Sequence, residues 1–345
     1  MIGLLGFAGL WGLGRWRGWG ELWLLAAAGW WSLLVLVHMP VAAENPLMRL
    51  VGGNFSAWLV FGLLAALVLA YRGLLRALRR RQVSDPVQVT APETFRDAEL
   101  DRYARHIMLR EIGGAGQKRL KAAKVLVVGA GGLGSPALLY LAGSGVGIIG
   151  VIDPDVVEST NLQRQVIHTD QRIGMAKVFS AETAMRALNP FIEVQPYNRK
   201  LTDQNAEALV ADYDLVLDGS DDFDTRYLVN RACVAAGVPL ISGALTQWEG
   251  QLGLFHPAKG VPCYACVFPV KPAPELVPTC AEAGVAAPLP GIIGSMMAME
   301  AVKHLTGAGE TLAGRLMIYD ALYAETRVIR VRRQATCAVC GGQLR

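Results

Sequence analysis

The stretch KVLVVGAGGLGSPALLYLAGS, residues 124 to 144, constrains the fold more than any other part of the chain. An apolar, β-branched run ends at Gly129, and Gly131, Gly132 and Gly134 follow before a helical pattern begins. Glycines at this point let the backbone turn sharply and approach a phosphate closely, while the next helix offers its N-terminal N–H groups. Strand, glycine turn and helix in that order form the first unit of an open α/β sheet, with its ligand beyond the carboxyl ends of the strands. Asp153 closes the next apolar run, where a carboxylate can accept from ribose hydroxyls. On these residues alone a nicotinamide dinucleotide and ATP both fit.

Downstream, apolar runs alternate with helical patterns. Strands are predicted at 147–153, 191–197, 213–219 and 239–243, and helices at 133–143, 175–189, 203–211 and 223–236. This alternation predicts a Rossmann-like, mostly parallel sheet covered on both faces. The pattern then changes. A strand at 250–257 and a hairpin at 315–333 predict an antiparallel extension, and the Met-rich helix at 291–305 reads as core filler. Residues 97–122 read as helical with a break at GGAG.

The first 71 residues differ in kind: their charges are confined to Arg15, Arg17, Glu21, Glu44 and Arg49. Residues 22–43 and 50–71 carry no formal charge, and a membrane span takes about 20 apolar residues. Two transmembrane helices are therefore expected, or three if MIGLLGFAGLWGLG also crosses. Arg72, Arg76, Arg79, Arg80 and Arg81 follow, a cluster that the positive-inside bias puts on the cytoplasmic side. The expected organisation is a membrane segment at 1–81, a Pro, Thr and Ser linker at 82–95 and a catalytic domain at 96–345, held at the inner membrane and facing the cytoplasm. A cleaved signal peptide is excluded, because the chain opens apolar rather than basic and a second apolar run follows. The net charge of +4 comes largely from the arginine cluster, which suits anionic membrane lipid. No basic and aromatic pattern for nucleic acid accompanies it.

The residues that decide between nucleotides lie past the other strand ends. STNLQRQ supplies Asn161 and Arg164, GMAKV supplies Lys177 at a helix start, and LDGSDDFDTR supplies Asp218, Asp221 and Asp222. Cations and carboxylates beside a phosphate turn suit phosphoryl or nucleotidyl transfer, in which negative charge is neutralised and Mg²⁺ held. Hydride transfer needs an acid or base beside a nicotinamide, and none stands out. An NAD-dependent oxidoreductase and an inactive binding module remain as alternatives.

Cysteines supply a second signal. Cys263 and Cys266 in CYAC pair with Cys337 and Cys340 in CAVC, two C-x-x-C knuckles that match a tetrahedral Cys₄ zinc site with no open position for substrate. Cys280, in the Pro-rich stretch VPTCAEAGVAAPLPG, is a candidate nucleophile or a bystander. Cys233 sits in a helical pattern and is expected in the core, and His106 and His168 are expected to be structural.

RYARHIMLREIGGAGQKRL, VVGAGGLGSP, NLQRQVIH, GMAKV, LDGSDD, SGALTQWEGQ and the paired C-x-x-C knuckles resemble the MoeB/ThiF/HesA family, bacterial relatives of the ubiquitin-activating enzymes, over about residues 98 to 342. The resemblance implies a homodimeric adenylyltransferase. It would use ATP and Mg²⁺ to adenylate the C-terminal Gly-Gly carboxylate of a ubiquitin-like sulfur carrier, releasing pyrophosphate. The expected carrier is the small subunit of molybdopterin synthase, with a thiamine-pathway carrier as the alternative. By motif, Gly132 approaches the phosphates, Asp153 binds ribose, Asn161, Arg164 and Lys177 contact phosphates, Asp221 holds Mg²⁺ and Arg105 reaches across the dimer to the other subunit's nucleotide. Asp222 departs from the pattern, since the family often has Asn there. The sequence ends five residues after Cys340, with no rhodanese-like domain, so a separate sulfur donor is expected.

Overall fold

The computed structural model describes residues 5–10, 22–39, 54–82, 95–271 and 284–341. The chain divides into two compact units, Met1–Thr90 and Ala91–Arg345. In the first, helix α1 spans Leu22–Val37 and helix α2 spans Phe55–Gln82. Asn54 Oδ1 caps the start of α2 by accepting from Ala57 N at 2.7 Å, and Trp31 Nε1 donates to the Trp58 carbonyl at 2.8 Å.

No helix among the described residues is long and apolar enough to cross a membrane. This overturns the expectation of transmembrane helices, and with it the inner-membrane location. The reason is length without charge. Helix α1 has 16 residues, on the order of 24 Å at 1.5 Å per residue, against a hydrocarbon core of about 30 Å. Helix α2 is longer, but its uncharged part stops at Tyr71, before Arg72 and the arginines that follow, so that part also falls short, at about 26 Å. Residues 40–50 and 83–94, which hold the loop between the expected spans and most of the expected linker, lie outside the described residues.

The second unit opens with helices α3 (Asp97–Ile107) and α4 (Gly113–Ala122). The glycines of GGAG begin α4 rather than interrupt a longer helix, and Gly116 leaves room for Ile112, whose Cγ2 would lie 2.9 Å from an added Cβ. Then come β1 (Lys124–Val128), α5 (Gly134–Ser144), β2 (Ile148–Ile152), α6 (Lys177–Leu188), β3 (Glu193–Tyr197), α7 (Ala206–Ala211), β4 (Leu215–Asp218), α8 (Phe223–Ala236), β5 (Leu240–Leu245) and β6 (Glu249–Phe255). A short helix α9 (Tyr264–Val267), helix α10 (Pro288–Thr306) and strands β7 (Arg315–Asp320) and β8 (Glu325–Arg330) complete it.

The strands form one sheet in the order β3-β2-β1-β4-β5-β6-β7-β8. Pairs from β3 to β5 are parallel, and β5 to β8 pair antiparallel, as the change of pattern after residue 250 predicts. Alternation along β1 divides the core between the two faces. Val125 and Val127 pack with Leu138, Leu141, Met185, Ile293 and Met297 of α5, α6 and α10, and Leu126 and Val128 pack with Leu209, Leu228 and Val229 of α7 and α8. Methionine 297 is core as expected, whereas Met299 is 60% exposed.

Chain order reverses between β1 and β4, the switch point where an open α/β sheet leaves a crevice. Val128 lies level with Ile152 on one side and Asp218 on the other, so Gly129, Asp153 and Gly219 leave the sheet side by side. The glycine turn closes there on itself. Gly129 has φ +91°, and a Cβ on Gly134 would lie 1.9 Å from the Gly129 carbonyl oxygen. Neither position tolerates a side chain.

Candidate active site

A cavity of about 690 Å³ opens at this switch point. Gly129, Gly131, Gly132, Asp153, Arg164, Lys177, Asp221 and Asp222 all line it. Residues from five separate segments of the sequence therefore meet in one place. Gly134 lies beneath the turn and does not reach the cavity.

Each side chain is held for a local reason. The buried Asp153 accepts from Ala130 N and from Asp155 N, both at 2.8 Å, one on each carboxylate oxygen. Each oxygen keeps a lone pair for another donor. Lys177, the first residue of α6, is buried and its Nζ lies 2.9 Å from Asp155 Oδ2. Arg164 donates to Asn161 Oδ1 at 2.9 Å, so Asn161 supports the arginine from outside the cavity wall.

The three aspartates of LDGSDD divide the work between them. Asp218, the last residue of β4, is fully buried. It accepts from Ser220 N at 3.0 Å, Ser220 Oγ at 2.6 Å and Ser242 Oγ at 2.8 Å, with the buried Arg226 Nε at 3.5 Å. Arg226 also donates to the Ser220 carbonyl at 2.6 Å, so the pair fixes the loop that carries Asp221. Asp221 itself is exposed to the cavity and makes no hydrogen bond or ion pair among the described residues. A carboxylate with both oxygens free is a hard donor of the kind Mg²⁺ takes. Asp222 is instead the N-cap of α8, accepting from Asp224 N at 3.2 Å, Thr225 N at 2.9 Å and Thr225 Oγ1 at 2.8 Å. Partial burial opposes its charge, but the Thr225 and Asp224 hydrogen bonds and the nearby Lys200 together outweigh it, and the carboxyl sits below its ordinary pKa.

Several residues of the wall are not singled out by the sequence, although Gln165 ends STNLQRQ and Arg226 ends LDGSDDFDTR. Asp155, Gln165, Arg199, Lys200, Arg226 and Lys271 line the cavity, and only the spacing of Asp155 two residues after Asp153 would have marked it. His168 is structural, as expected, but structural for the site. Its Nε2 donates to the Ala130 carbonyl at 2.9 Å, which makes Nδ1 the acceptor from Ser180 Oγ, also at 2.9 Å. The ring thus ties the glycine turn to the helix that begins at Lys177. Burial lowers its pKa, so the neutral ring is the resident form. His106 bonds Gln117 at 3.2 Å, away from the cavity, and Cys233 is core.

Arg105 is exposed in the last turn of α3 and does not line the cavity of its own chain. Cys280 lies outside the described residues. Cys263, Cys266, Cys337 and Cys340 are buried together, with their sulfur atoms within 4.8 Å of one another. Three of the separations are 3.8, 3.6 and 3.4 Å. A tetrahedral zinc with Zn–S bonds of about 2.3 Å sets its sulfurs about 3.8 Å apart, so the set fits that ion.

The family model for the ThiF family matches residues 103–339. The chain belongs to the ThiF family. The sulfur carrier protein adenylyltransferase of Thermus thermophilus is 50% identical over 249 residues, which is 71% of this chain and 92% of that one. The adenylyltransferase and sulfurtransferase MOCS3 of Anopheles gambiae is 48% identical over 243 residues, 70% of this chain, but the match spans 55% of that longer protein. Among solved structures, E. coli MccB with AMPCPP and MccA superposes with a TM-score of 0.63 at 26% identity, covering 71% of this chain and 75% of that one.

Asp222 acts as an N-cap, a position at which Asp and Asn serve about equally well. Asp222→Asn is expected to keep nucleotide exchange within about threefold of the parent, because a cap swap of this kind changes stability by less than about 1 kcal/mol. The depressed pKa fixes the sign of the pH effect. The charged form stabilises the fold above the ordinary carboxylate range, and that contribution is lost as pH falls through the lowered value. The melting temperature of the parent should therefore fall further than that of the Asn variant as the pH is lowered.

Proposed function

We propose that this chain adenylates the C-terminal carboxylate of a small ubiquitin-like sulfur carrier, using ATP. The observation that carries the reading is the meeting of the glycine turn, Asp153, Lys177, Arg164 and the unpaired Asp221 in one cavity at the sheet's switch point. The relatives named above support it. The mixture of cations and carboxylates favours nucleotidyl transfer over hydride transfer.

In the reaction, a carrier carboxylate oxygen attacks the α-phosphorus. The bond from that phosphorus to the bridging oxygen breaks, and pyrophosphate leaves with the electron pair. Asp153 orients the ribose, and the turn at Gly131 and Gly132 lets the polyphosphate approach the backbone. Lys177 and Arg164 neutralise charge that grows on the phosphates in the transition state. Mg²⁺, when bound, would add further charge neutralisation, and Asp221 would hold it. The carrier is proposed to be the small subunit of molybdopterin synthase, with a thiamine-pathway carrier as the second choice. A separate sulfur donor is proposed for conversion of the adenylate to a thiocarboxylate. The four knuckle cysteines are proposed to hold structural zinc.

We propose a homodimer in which Arg105, exposed and outside its own chain's cavity, reaches the other subunit's nucleotide. ATP–pyrophosphate exchange that depends on a Gly-Gly carrier tests the activity, and NAD reduction without exchange would replace it with the oxidoreductase reading. Mixing inactive Arg105→Ala with inactive Lys177→Ala tests the dimer. Heterodimers then hold one site with both groups intact, and exchange returns on mixing. Continued inactivity of a mixture shown by native mass spectrometry to contain heterodimers would refute the role given to Arg105.

A further inference from the structure

The Gln165 amide is not used by the mechanism above, yet it lines the cavity. It is 5% exposed, and its Oε1 is buried without a hydrogen-bond partner among the described residues. The backbone around it is fully engaged. Gln165 N donates to the Asn161 carbonyl at 3.0 Å, and the Gln165 carbonyl accepts from His168 N at 3.1 Å. Its neighbours are also committed, Arg164 to Asn161 and His168 to Ala130 and Ser180. The other end of the amide stands over the phosphate turn, where Gln165 Nε2 lies 3.6 Å from the place a Gly131 Cβ would occupy.

A buried polar atom without a partner carries a desolvation penalty that folding does not return. Folded chains keep such groups where a ligand completes them, and a leucine of similar size would remove the penalty. We infer that Gln165 is a direct contact for the nucleotide, with its amide N–H donating to a non-bridging phosphate oxygen and its carbonyl oxygen accepting from a water that enters with the polyphosphate. The amide adds direction where Lys177 and Arg164 add charge. This rests on the reading of the cavity as an ATP site.

The test compares Gln165→Leu, Gln165→Glu and the parent in the full-length protein by calorimetric titration with ATP and by thermal melts with and without it. Gln165→Leu should melt at or above the parent temperature without nucleotide, because the unpaired group is gone, and should bind ATP about tenfold more weakly. Gln165→Glu should bind more weakly still, since it brings a carboxylate to the phosphates. The KM for the carrier should not move. A merely structural glutamine predicts the opposite pair of results, a lower melting temperature with unchanged ATP affinity. Binding within twofold of the parent overturns the inference whatever the melt shows. Should Gln165→Leu fail to fold, Gln165→Asn keeps the amide, shortens its reach and is expected to show the same loss of affinity. A parent protein that binds no ATP refutes the nucleotide reading itself, which separates the two failures.

Discussion

Lys177→Ala and Asp221→Ala are each expected to lower carrier-dependent ATP–pyrophosphate exchange by about two to three orders of magnitude, the usual cost of removing one group that stabilises transition-state charge. The folds should survive. Lys177 is the more exacting case, because its ammonium is buried and its partner is Asp155, whose side chain is 63% exposed. Removing the lysine leaves a carboxylate that water can still solvate, so the penalty for an unpaired buried charge does not arise. Asp221 has no partner to lose. The effect of either change is therefore concentrated where phosphate charge develops, and kcat should fall while the melting temperature moves little. Exchange within threefold of the parent in either variant would show that the chemistry lies elsewhere. A large drop in melting temperature would show that the loop or the α6 N-terminus, rather than the transition state, had been damaged.

The sequence makes this part of the molecule readable because the chemistry sits at strand ends. The run from Lys124 to Gly134 dictates a strand, a glycine-rich turn and a helix, and Asp153 follows from the next strand end by the same rule. The parallel and antiparallel halves of the sheet are legible in the change from helix-separated strands to adjacent ones after residue 250. Lone side chains are less legible. Asp218, Asp221 and Asp222 look alike in LDGSDD, yet one is a buried ion-pair partner of Arg226, one is free in the cavity and one caps α8. Their roles are assigned by where the strand ends and the helix begins, a boundary one residue wide. Gln165 and His168 both lie in NLQRQVIH, but that string does not say what either side chain does, because what matters is which neighbours the fold gives them. The N-terminal unit misleads for a different reason. Composition there has the apolarity of a membrane segment, but spanning depends on the length of uninterrupted helix, and the described helices stop or acquire charge too soon.

The second large effect is expected at the knuckles. Cys263 is the N-cap of α9 and Cys266 lies within it, whereas Cys337 and Cys340 follow β8, 74 residues further on in each matched pair. Strand β8 is the exposed edge of the sheet, and little apolar surface holds the segment beyond it. The buried cluster there consists of the four cysteines with Val234 and Ala265. Polar contacts help, with Gln334 Nε2 donating to the Cys266 carbonyl at 2.6 Å and Arg333 donating to the Pro257 carbonyl at 3.2 Å. These bonds register the two segments but bring no large hydrophobic gain. A tetrahedral metal fitted to the sulfurs would supply it, since structural zinc sites contribute binding energy directly to folding. Cys263→Ser should therefore lose bound zinc and lower the melting temperature by about 10 °C or more. The knuckles do not line the cavity, so protein that remains folded at low temperature should keep its KM for ATP. Metal analysis, thermal melts and exchange at low temperature measure the three quantities. A purified protein that holds no zinc and melts unchanged after Cys263→Ser would show that the four thiols are packed as ordinary core residues. A variant that keeps its stability but loses ATP affinity would tie the knuckles to the nucleotide site instead.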